Sequence, residues 1–298
     1  MGMTDHPITF VCNCNCISCI HTMEYSKEHQ TFARKGTPFV PYEQLTNFVD
    51  KIKTPDVDTF NLCGGEPTID PNFFRFLDFF KRNREELLLH IVTNGRMFFY
   101  KDFVERTKRS APKRMRLDVT FYGSNSEIHD KITRTPGSFE QTLAGTANLL
   151  EAGIQTEIRI IVQRDNLQDL ISFSNLVSNS LSKVFRTNIV SMKYTGNAAH
   201  NRDKISVTLK ESIPFVLSAA DFLIERGLPV KLLHYPLCLL PKKYWPFAEG
   251  VTKNEELVYS KKCVNCDVKP RCPKIWATYL GIYGDKEFSP VIEVNHDD

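Results

Sequence analysis

The chain has 298 residues, and 38 lysines and arginines face 35 aspartates and glutamates, for a formal net charge of +3. This balance does not call for a nucleic-acid partner, and we expect none. No apolar run is long enough to cross a membrane, and the start of the chain lacks the basic and apolar parts of a secretory signal. We therefore expect a cytoplasmic protein without membrane contact, whose clustered cysteines bind metal rather than form disulfides.

Short apolar segments alternate with amphipathic segments along most of the chain. The predicted strands cover residues 8–12, 58–62, 87–92, 115–121, 157–162, 187–193 and 230–233. The predicted helices cover residues 41–53, 71–84, 100–109, 138–152, 167–181 and 210–226, with Ser138 as the N-cap of the fourth. Residues 20–40 and 123–137 are predicted loops.

This alternation indicates an α/β fold with a parallel sheet and helices outside it. About six strand–helix units are too few to close a barrel of eight, so we predict a partial (β/α)6 TIM-like barrel. We assign residues 1–230 to this barrel and residues 231–298 to a small C-terminal cysteine-rich domain. In such folds the functional loops follow the C-terminal ends of the strands.

Three cysteines follow the first predicted strand with the spacing C-x3-C-x2-C, namely Cys12, Cys16 and Cys19. Soft thiolates select iron–sulfur clusters or zinc. Three protein ligands leave one metal position open for chemistry, whereas four close the site. Cys14 lies between these ligands, so a zinc site that includes it is an alternative. We interpret Cys14 as a loop residue packed beside the metal.

The second predicted strand leads into Gly64, Gly65, Glu66 and Pro67. Glycines allow the backbone to approach a ligand closely, and a carboxylate suits an ammonium group. A tight turn with a surface glutamate is the alternative interpretation. Arg159 interrupts an apolar strand, and a buried arginine needs a partner, which a structural salt bridge would also provide.

Four further cysteines form a C-terminal group with the spacing C-x2-C-x5-C and a distant fourth member. They are Cys238, Cys263, Cys266 and Cys272. Four cysteines of this kind form a closed metal site, for which zinc and an iron–sulfur cluster are both candidates.

Together these motifs resemble those of the radical S-adenosylmethionine (SAM) superfamily. The resemblance implies that Cys12, Cys16 and Cys19 hold a [4Fe-4S] cluster whose fourth iron binds SAM. It also implies that Glu66 contacts the SAM amino group, and that a reduced cluster cleaves SAM to a 5′-deoxyadenosyl radical that abstracts hydrogen from a substrate. The SAM-binding residues implied by the resemblance are Gly64, Gly65, Glu66, Pro67, Thr93, Asn94, Thr120, Tyr122 and Arg159.

The C-terminal group resembles the SPASM/Twitch extension of radical SAM enzymes. Trp276 stands where a full SPASM domain has a further cysteine, which implies one auxiliary [4Fe-4S] cluster, as in the Twitch form. With four cysteine ligands that cluster has no iron free for substrate and would act as an electron relay or as support for the substrate pocket.

Several segments also resemble the maturase of the His-Xaa-Ser peptide system. These are residues 64–68, 92–98, 137–139, 235–238 and 245–247. This resemblance implies a ribosomally made peptide as substrate, modified by crosslinking, epimerisation or oxidation, and a flavodoxin or ferredoxin as electron donor. About ten residues precede Cys12, too few for a peptide-recognition domain, so we expect a separate protein or the barrel itself to recognise a peptide.

Two alternatives stay open at this point. One is a Twitch-type dehydrogenase or cyclase that acts on a small molecule such as a sugar or cofactor precursor, and the other is a non-enzymatic structural zinc protein. The sequence does not identify the catalytic residue that handles a hydrogen atom or proton. Its candidates are Cys14, Cys63, Tyr122 and Tyr194.

Overall fold

The computed structural model describes residues 3–27, 31–34, 39–53, 57–250 and 256–293. Within these residues an eight-stranded sheet organises the fold, and its spatial order follows the order of the chain. Every neighbouring pair is parallel. The strands are β1 (Met3–Thr9), β2 (Thr59–Gly64), β3 (Leu88–Thr93), β4 (Met115–Phe121), β5 (Thr156–Ile161), β6 (Thr187–Val190), β7 (Val230–Leu233) and β8 (Ala248–Glu249).

Helices connect these strands and follow them along the chain. They are α1 (Tyr42–Asp50), α2 (Phe73–Asn83), α3 (Lys101–Ser110), α4 (Ser126–Thr133), α5 (Ser138–Glu151), α6 (Leu170–Ser180), α7 (Gly196–His200), α8 (Arg202–Ile205), α9 (Leu209–Ile224) and α10 (Ala277–Tyr283). Short 3-10 helices occupy Pro67–Ile69, Arg96–Phe99, Arg164–Asp169, Leu237–Leu239, Lys242–Phe247, Lys261–Asn265 and Lys269–Arg271. No helix among the described residues combines the length and the apolar character needed to cross a bilayer.

The two faces of the sheet differ because strand side chains alternate between them. Phe60 and Leu62 of β2 are fully buried, and the rings of Phe76 and Phe80 from α2 pack against Phe60. The other face carries polar side chains at the alternate positions, among them Asn61. The outer face therefore holds the hydrophobic core with the helices, and the inner face is left for polar groups.

The structure confirms the α/β class and the partial-barrel architecture. Each predicted main strand and helix is present, β4 and β7 with the predicted bounds and the others with shifted bounds. The first strand is the most displaced, since β1 ends at Thr9 and a separate short strand, Val11–Cys12, leads into the cysteine loop. The division between residues 230 and 231 stays a prediction, and the sheet itself continues to Glu249.

Two predicted loops were wrong within the described residues. The segment 123–137 contains α4, whose N-cap Asn125 accepts a hydrogen bond from the Ile128 N–H at 3.1 Å. The segment 20–40 contains Glu24–Ser26 and Thr31–Ala33, which form a three-stranded antiparallel sheet with Val11–Cys12. These elements are short, so the sequence shows too little periodicity to predict them. Residues 28–30 and 35–38 of that loop lie outside the described residues.

The predicted N-cap of α5 was also wrong by one residue. Gly137 occupies the cap position with a φ of 77°, and Ser138 is the first helical residue. The Asp130 carboxylate accepts hydrogen bonds from the Gly137 N–H, the Ser138 hydroxyl and the Phe139 N–H, at 2.7, 2.7 and 2.8 Å. A side chain from α4 therefore satisfies the free N–H groups that a capping serine would otherwise serve.

Candidate functional site

The loop that carries Cys12, Cys16 and Cys19 follows β1 at the C-terminal edge of the sheet. The end of α4 holds its middle, because the Asn15 N–H donates to the Thr133 carbonyl at 3.1 Å and the Ile17 N–H donates to the Ile132 carbonyl at 2.8 Å. These backbone bonds fix the path of the loop without using any cysteine side chain. The sequence predicted a loop over residues 123–137, where α4 lies, so it did not indicate this support.

Helix α7 and the residue after it hold the far end of the loop. The Asn197 amide donates to the Cys16 carbonyl at 3.2 Å, and the Asn201 amide donates to the Ile17 carbonyl at 3.2 Å. Gly196 has a φ of 54°, and a Cβ there would lie 2.6 Å from the Ile20 carbonyl carbon. Any larger side chain at this position would overlap the backbone that follows Cys19. The first residue of α7 must therefore be glycine for the helix to pack against the cysteine loop.

Cys14 is buried beside two polar side chains that follow β3. Its sulfur lies 3.5 Å from Arg96 Nη1 and 3.7 Å from Asn94 Nδ2. Arg96 also donates to the Asn13 carbonyl and, through Nε, to Gln141 Oε1 at 2.7 Å. The pKa of the Cys14 thiol lies below its ordinary value, chiefly because of a hydrogen bond with Cys16. Burial opposes this decrease, and the charge of Arg96 adds to it.

Arg96 was not among the predicted site residues. The sequence contained only a weak sign of it, an arginine directly after the turn Thr93-Asn94-Gly95. Its contacts with Asn13 and Cys14 show that it anchors the cysteine loop to the C-terminal end of β3.

The three spaced thiols are held in an environment that disfavours thiolates without a counter-charge. Burial raises the pKa of the Cys12 and Cys19 thiols, and at Cys16 the hydrogen bond with Cys14 acts first and burial second, both raising the pKa. A bound metal reverses this effect, because its positive charge stabilises the thiolate. The donor set thus fits a metal centre.

Thiolate ligands at this loop suit an iron–sulfur cluster or a zinc ion. Three cysteine ligands leave one metal position open for a further ligand. Within the described residues, one trio of potential ligand side chains has its donor atoms within 4.8 Å of one another, and it contains no cysteine.

The Gly64-Gly65 pair packs directly against the chain that enters the cysteine loop. The Gly65 N–H donates to the Thr9 carbonyl at 2.7 Å, and the Glu66 N–H donates to the Val11 carbonyl at 2.8 Å. A Cβ on Gly65 would lie 2.6 Å from the Val11 carbonyl carbon, and Gly64 has a φ of 133°. We expected these glycines to let the backbone approach a ligand. In the described structure, the backbone that they approach is that of Thr9 and Val11.

Glu66 is a buried carboxylate held by four donors. Its Oε1 accepts from the Thr68 N–H at 3.1 Å, the Thr68 hydroxyl at 2.5 Å and the Thr93 hydroxyl at 2.7 Å, and its Oε2 accepts from the Asn94 N–H at 2.7 Å. Burial raises the pKa of this carboxyl, and these bonds oppose the rise. Oε2 accepts one bond only, so it retains capacity for a further donor such as an ammonium group. Pro67 begins the 3-10 turn behind it.

Tyr122, directly after β4, brings a third strand end to the cysteine loop. Its hydroxyl is buried, and burial together with the proximity of Cys16 and Cys19 raises its pKa well above the ordinary value. The sequence-predicted residues Cys12, Cys16, Cys19, Gly64, Gly65, Glu66, Pro67, Thr93, Asn94 and Tyr122 therefore lie at one edge of the sheet.

Thr120 and Arg159 lie on the inner face of the sheet, in register across β4 and β5. Arg159 donates to Asp118 Oδ2 through Nε at 2.8 Å and also through Nη2. Burial raises the pKa of Asp118, but the Arg159 charge and hydrogen bonds outweigh it and hold that pKa below the ordinary value. The structural salt bridge that the sequence suggested is thus present. Arg159 Nη1 does not take part in its hydrogen bonds with Asp118.

The same ion pair belongs to a larger buried network on the inner face. His90, Asp118 and Glu157 form the trio with close donor atoms, but arginines neutralise both carboxylates. The ion pairs are Arg159–Asp118, Arg116–Glu157 and Arg186–Glu157. Three arginines thus surround two carboxylates, and neither carboxylate lacks a counter-charge in the interior of the barrel.

The C-terminal cysteines form a second site. Cys238, Cys263, Cys266 and Cys272 line one cavity, together with Lys269 and Lys274 among other residues. Burial raises the pKa of the Cys238, Cys263 and Cys272 thiols. All four cysteines line one space, as expected for a closed site.

The remaining hydrogen-donor candidates differ in position. Cys63 lies at the end of β2, where burial first and Asp5 second raise its pKa to about 12. Tyr194 is buried beside Tyr279 and Tyr283, with ring centroids 6.5 and 6.1 Å away. The structure does not select one of them as a catalytic group.

Comparison with known proteins identifies relatives of this arrangement. The family model described as the radical SAM superfamily matches residues 6–177, more than half of the chain. The AdoMet-dependent heme synthase of Methanosarcina barkeri (strain Fusaro / DSM 804) is 29% identical over 181 residues, which are 57% of this chain and 47% of that protein. The mycofactocin maturase MftC of Mycobacterium tuberculosis (strain ATCC 25618 / H37Rv) is 24% identical over 172 residues, 57% of this chain and 40% of that protein.

Among solved structures, Streptococcus suis SuiB bound to its precursor peptide SuiA superposes with a TM-score of 0.60 at 14% identity. The match covers 78% of this chain and 48% of that chain. At this identity the likeness shows the fold alone. The chain spans about half, or less, of the length of each of these proteins.

Proposed function

The chain belongs to the radical SAM superfamily, and from this premise we propose that it cleaves SAM reductively to abstract hydrogen from a substrate. One observation carries the proposal: the Glu66 turn and the cysteine loop lie at the same edge of the sheet and are bonded to each other. The Glu66 N–H donates to the carbonyl of Val11, directly before Cys12, at 2.8 Å. When bound, the [4Fe-4S] cluster and SAM supply the one-electron cleavage that yields the 5′-deoxyadenosyl radical. The membership also overturns the structural zinc protein as an alternative.

The residues of the chain divide this task between binding and positioning. Cys12, Cys16 and Cys19 would hold the cluster, and Glu66 Oε2 would accept a hydrogen bond from the SAM ammonium group. Thr93 and Asn94 position Glu66, since both donate to its carboxylate.

Three further side chains are proposed SAM contacts. The Thr120 and Tyr122 hydroxyls would serve the ribose, and Arg159 would reach the SAM carboxylate through Nη1, which Asp118 leaves unused. The ion pair with Asp118 orients the guanidinium for this contact.

We propose an auxiliary [4Fe-4S] cluster at the four C-terminal cysteines. Their shared cavity supports it. With four thiolate ligands the site suits electron transfer rather than substrate binding, and it would accept the electron that a net oxidation of substrate releases.

We propose a ribosomally made peptide as substrate. Two findings support this class: MftC is named a maturase, and SuiB was crystallised with a precursor peptide. The second candidate is a small molecule, favoured by the likeness to a protein named as a heme synthase.

The test of SAM cleavage uses anaerobically reconstituted protein with dithionite and SAM. We expect 5′-deoxyadenosine and methionine to form, and Cys16→Ala to abolish both. Formation of 5′-deoxyadenosine no faster than in the Cys16→Ala protein would refute the proposal.

The substrate class is tested by coexpression with each short open reading frame that adjoins the gene. We expect the mass or the D-amino-acid content of one of these peptides to change only when the wild-type enzyme is present. Unchanged masses and unchanged stereochemistry for all of them, with active SAM cleavage, would reject the peptide and favour the small molecule.

A further inference from the structure

A strongly basic segment contains three of the four C-terminal cysteines. Residues 261–274 carry five cationic side chains and one acidic side chain, Asp267, so this segment alone has a formal charge of +4 against +3 for the whole chain. The five cationic residues, which we call the basic rim, are Lys261, Lys262, Lys269, Arg271 and Lys274.

Contacts with two aromatic rings bring cationic side chains of this region together in pairs. Lys269 Nζ and Lys274 Nζ lie 5.1 and 5.5 Å from the ring centroid of Tyr259. Arg271 lies 5.1 Å from the ring centroid of Trp245. Lys242, outside the segment, lies 5.7 Å from the same tryptophan ring and extends the positive surface.

Acidic neighbours neutralise only part of this charge. Arg271 pairs with Glu293, and Lys262 lies 4.0 Å from Asp285. In the described part of the chain, Lys261, Lys269 and Lys274 form no ion pair. The rim therefore keeps net positive charge available to a partner.

An apolar side chain projects from the middle of the rim. Val264 is 74% exposed, the highest value among the large apolar residues of the described chain. It stands between Cys263 and Cys266, both only half-buried. This part of the segment thus combines an exposed apolar side chain, neighbouring positive charge and two half-buried cysteines.

We propose that the basic rim docks an acidic one-electron carrier protein of the flavodoxin or ferredoxin type, with Val264 at the centre of the contact. This inference rests on the proposed auxiliary cluster. Docking here places the carrier over Cys263 and Cys266, and the exchange is one electron, lost by one centre and gained by the other without a proton or bond change. An acidic carrier fits because charge complementarity both attracts the partner and orients it.

The chain offers a second basic surface as a matched control. Lys108, Lys113 and Arg114 line an open cavity at the N-terminal ends of β3 and β4. Lys108 and Lys113 are exposed, as are Lys261 and Lys262. The two surfaces can therefore be compared by the same change of charge, and only the rim adjoins a cysteine site.

The experiment measures the Kd of purified oxidised flavodoxin for the reconstituted enzyme by calorimetry, under anaerobic conditions at low salt. We expect Lys261→Glu/Lys262→Glu to raise Kd about tenfold, since each reversal removes an attraction and adds a repulsion. Lys108→Glu/Lys113→Glu should leave Kd within about twofold. Val264→Ser, which keeps the charge, should raise Kd about fivefold through lost apolar contact.

Iron content of each variant is measured first, and Lys261→Gln/Lys262→Gln replaces the reversal if that protein loses iron. Equal effects of the rim and control reversals overturn the docking site, as does an unchanged Kd in the rim variant. Failure of the wild-type enzyme to bind either flavodoxin or a plant-type ferredoxin also overturns it.

The readout separates this inference from the proposed function. Dithionite-driven formation of 5′-deoxyadenosine needs no carrier protein, so its absence with intact rim-dependent binding rejects the proposed activity alone. Its presence with rim-independent binding rejects the docking surface alone.

Discussion

Replacing Gly65 with alanine tests whether the turn at Glu66 and the cysteine loop form one packed unit. An alanine Cβ would lie 2.6 Å from the carbonyl carbon and 2.9 Å from the nitrogen of Val11, and both are backbone atoms that cannot rotate away. Either the β2 turn or the segment entering Cys12 must shift. Such overpacking costs about 3 kcal/mol, which lowers Tm by about 6–12 °C for a domain of this size.

The same shift should reduce cluster loading, because Cys12 directly follows Val11. We expect Gly65→Ala protein to recover less iron at the N-terminal site on anaerobic reconstitution, with its C-terminal site filled. Gly281→Ala is the matched control, because Gly281 lies in α10 and a Cβ added there would meet no neighbouring atom within 4 Å. It should leave Tm unchanged or raise it slightly. Gly65→Ala protein with the Tm and iron content of Gly281→Ala protein would refute the packing argument.

Three further predictions concern buried side chains. Asp118→Asn leaves the half-buried Arg159 without its counter-charge and should destabilise the fold by about 3 kcal/mol in urea unfolding, an effect largely removed in the double variant with Arg159→Met. Because the folded pKa of Asp118 is depressed, its contribution is present above the unfolded value of about 3.9 and is lost as pH falls through the folded value, so Asp118→Asn should flatten the acid limb of stability against pH. His234 is buried with a φ of 62°, so His234→Asn should retain a Tm above that of His234→Ala, since asparagine tolerates this conformation and alanine is strained there by about 1–2 kcal/mol. Cys14→Ser should keep the iron of the N-terminal site and Cys16→Ser should lose it, whereas equal losses would make Cys14 a ligand.

The sequence predicted the parts of the fold that rest on long, periodic segments. Strands such as β4 and β5 are apolar on the core face over six or seven residues, and α2 places phenylalanines at helical spacing. The cysteine spacings likewise need only local information. The periodic segments predicted the barrel, and the cysteine spacings are the basis for the two proposed metal sites.

The supports of the cysteine loop could not be predicted in the same way. Helices α4 and α7 have eight and five residues, too few to show a clear period. The loop bonds that they and Arg96 make join residues more than eighty positions apart, such as Arg96 with Cys14. Nothing local marks such a contact.

Arg159 shows how far the sequence goes in an intermediate case. Its place in an apolar strand indicated that it needed a partner. Asp118, 41 positions away on the neighbouring strand, became identifiable only when the sheet register was known. Gly65 is similar, because its need for close approach was visible but its neighbour, Val11, was not.

The most direct test of the account is the iron and sulfide content, with EPR spectra, of anaerobically reconstituted wild-type protein and two sets of variants. We predict about eight irons in the wild type and about four in both Cys12/Cys16/Cys19→Ala and Cys263/Cys266→Ala, as two separate [4Fe-4S] sites require. SAM should perturb the spectrum of the second variant and leave that of the first unchanged. No iron in the wild type, or a SAM response that survives removal of the N-terminal cysteines, would contradict the assignment of that loop as the SAM-cleaving centre.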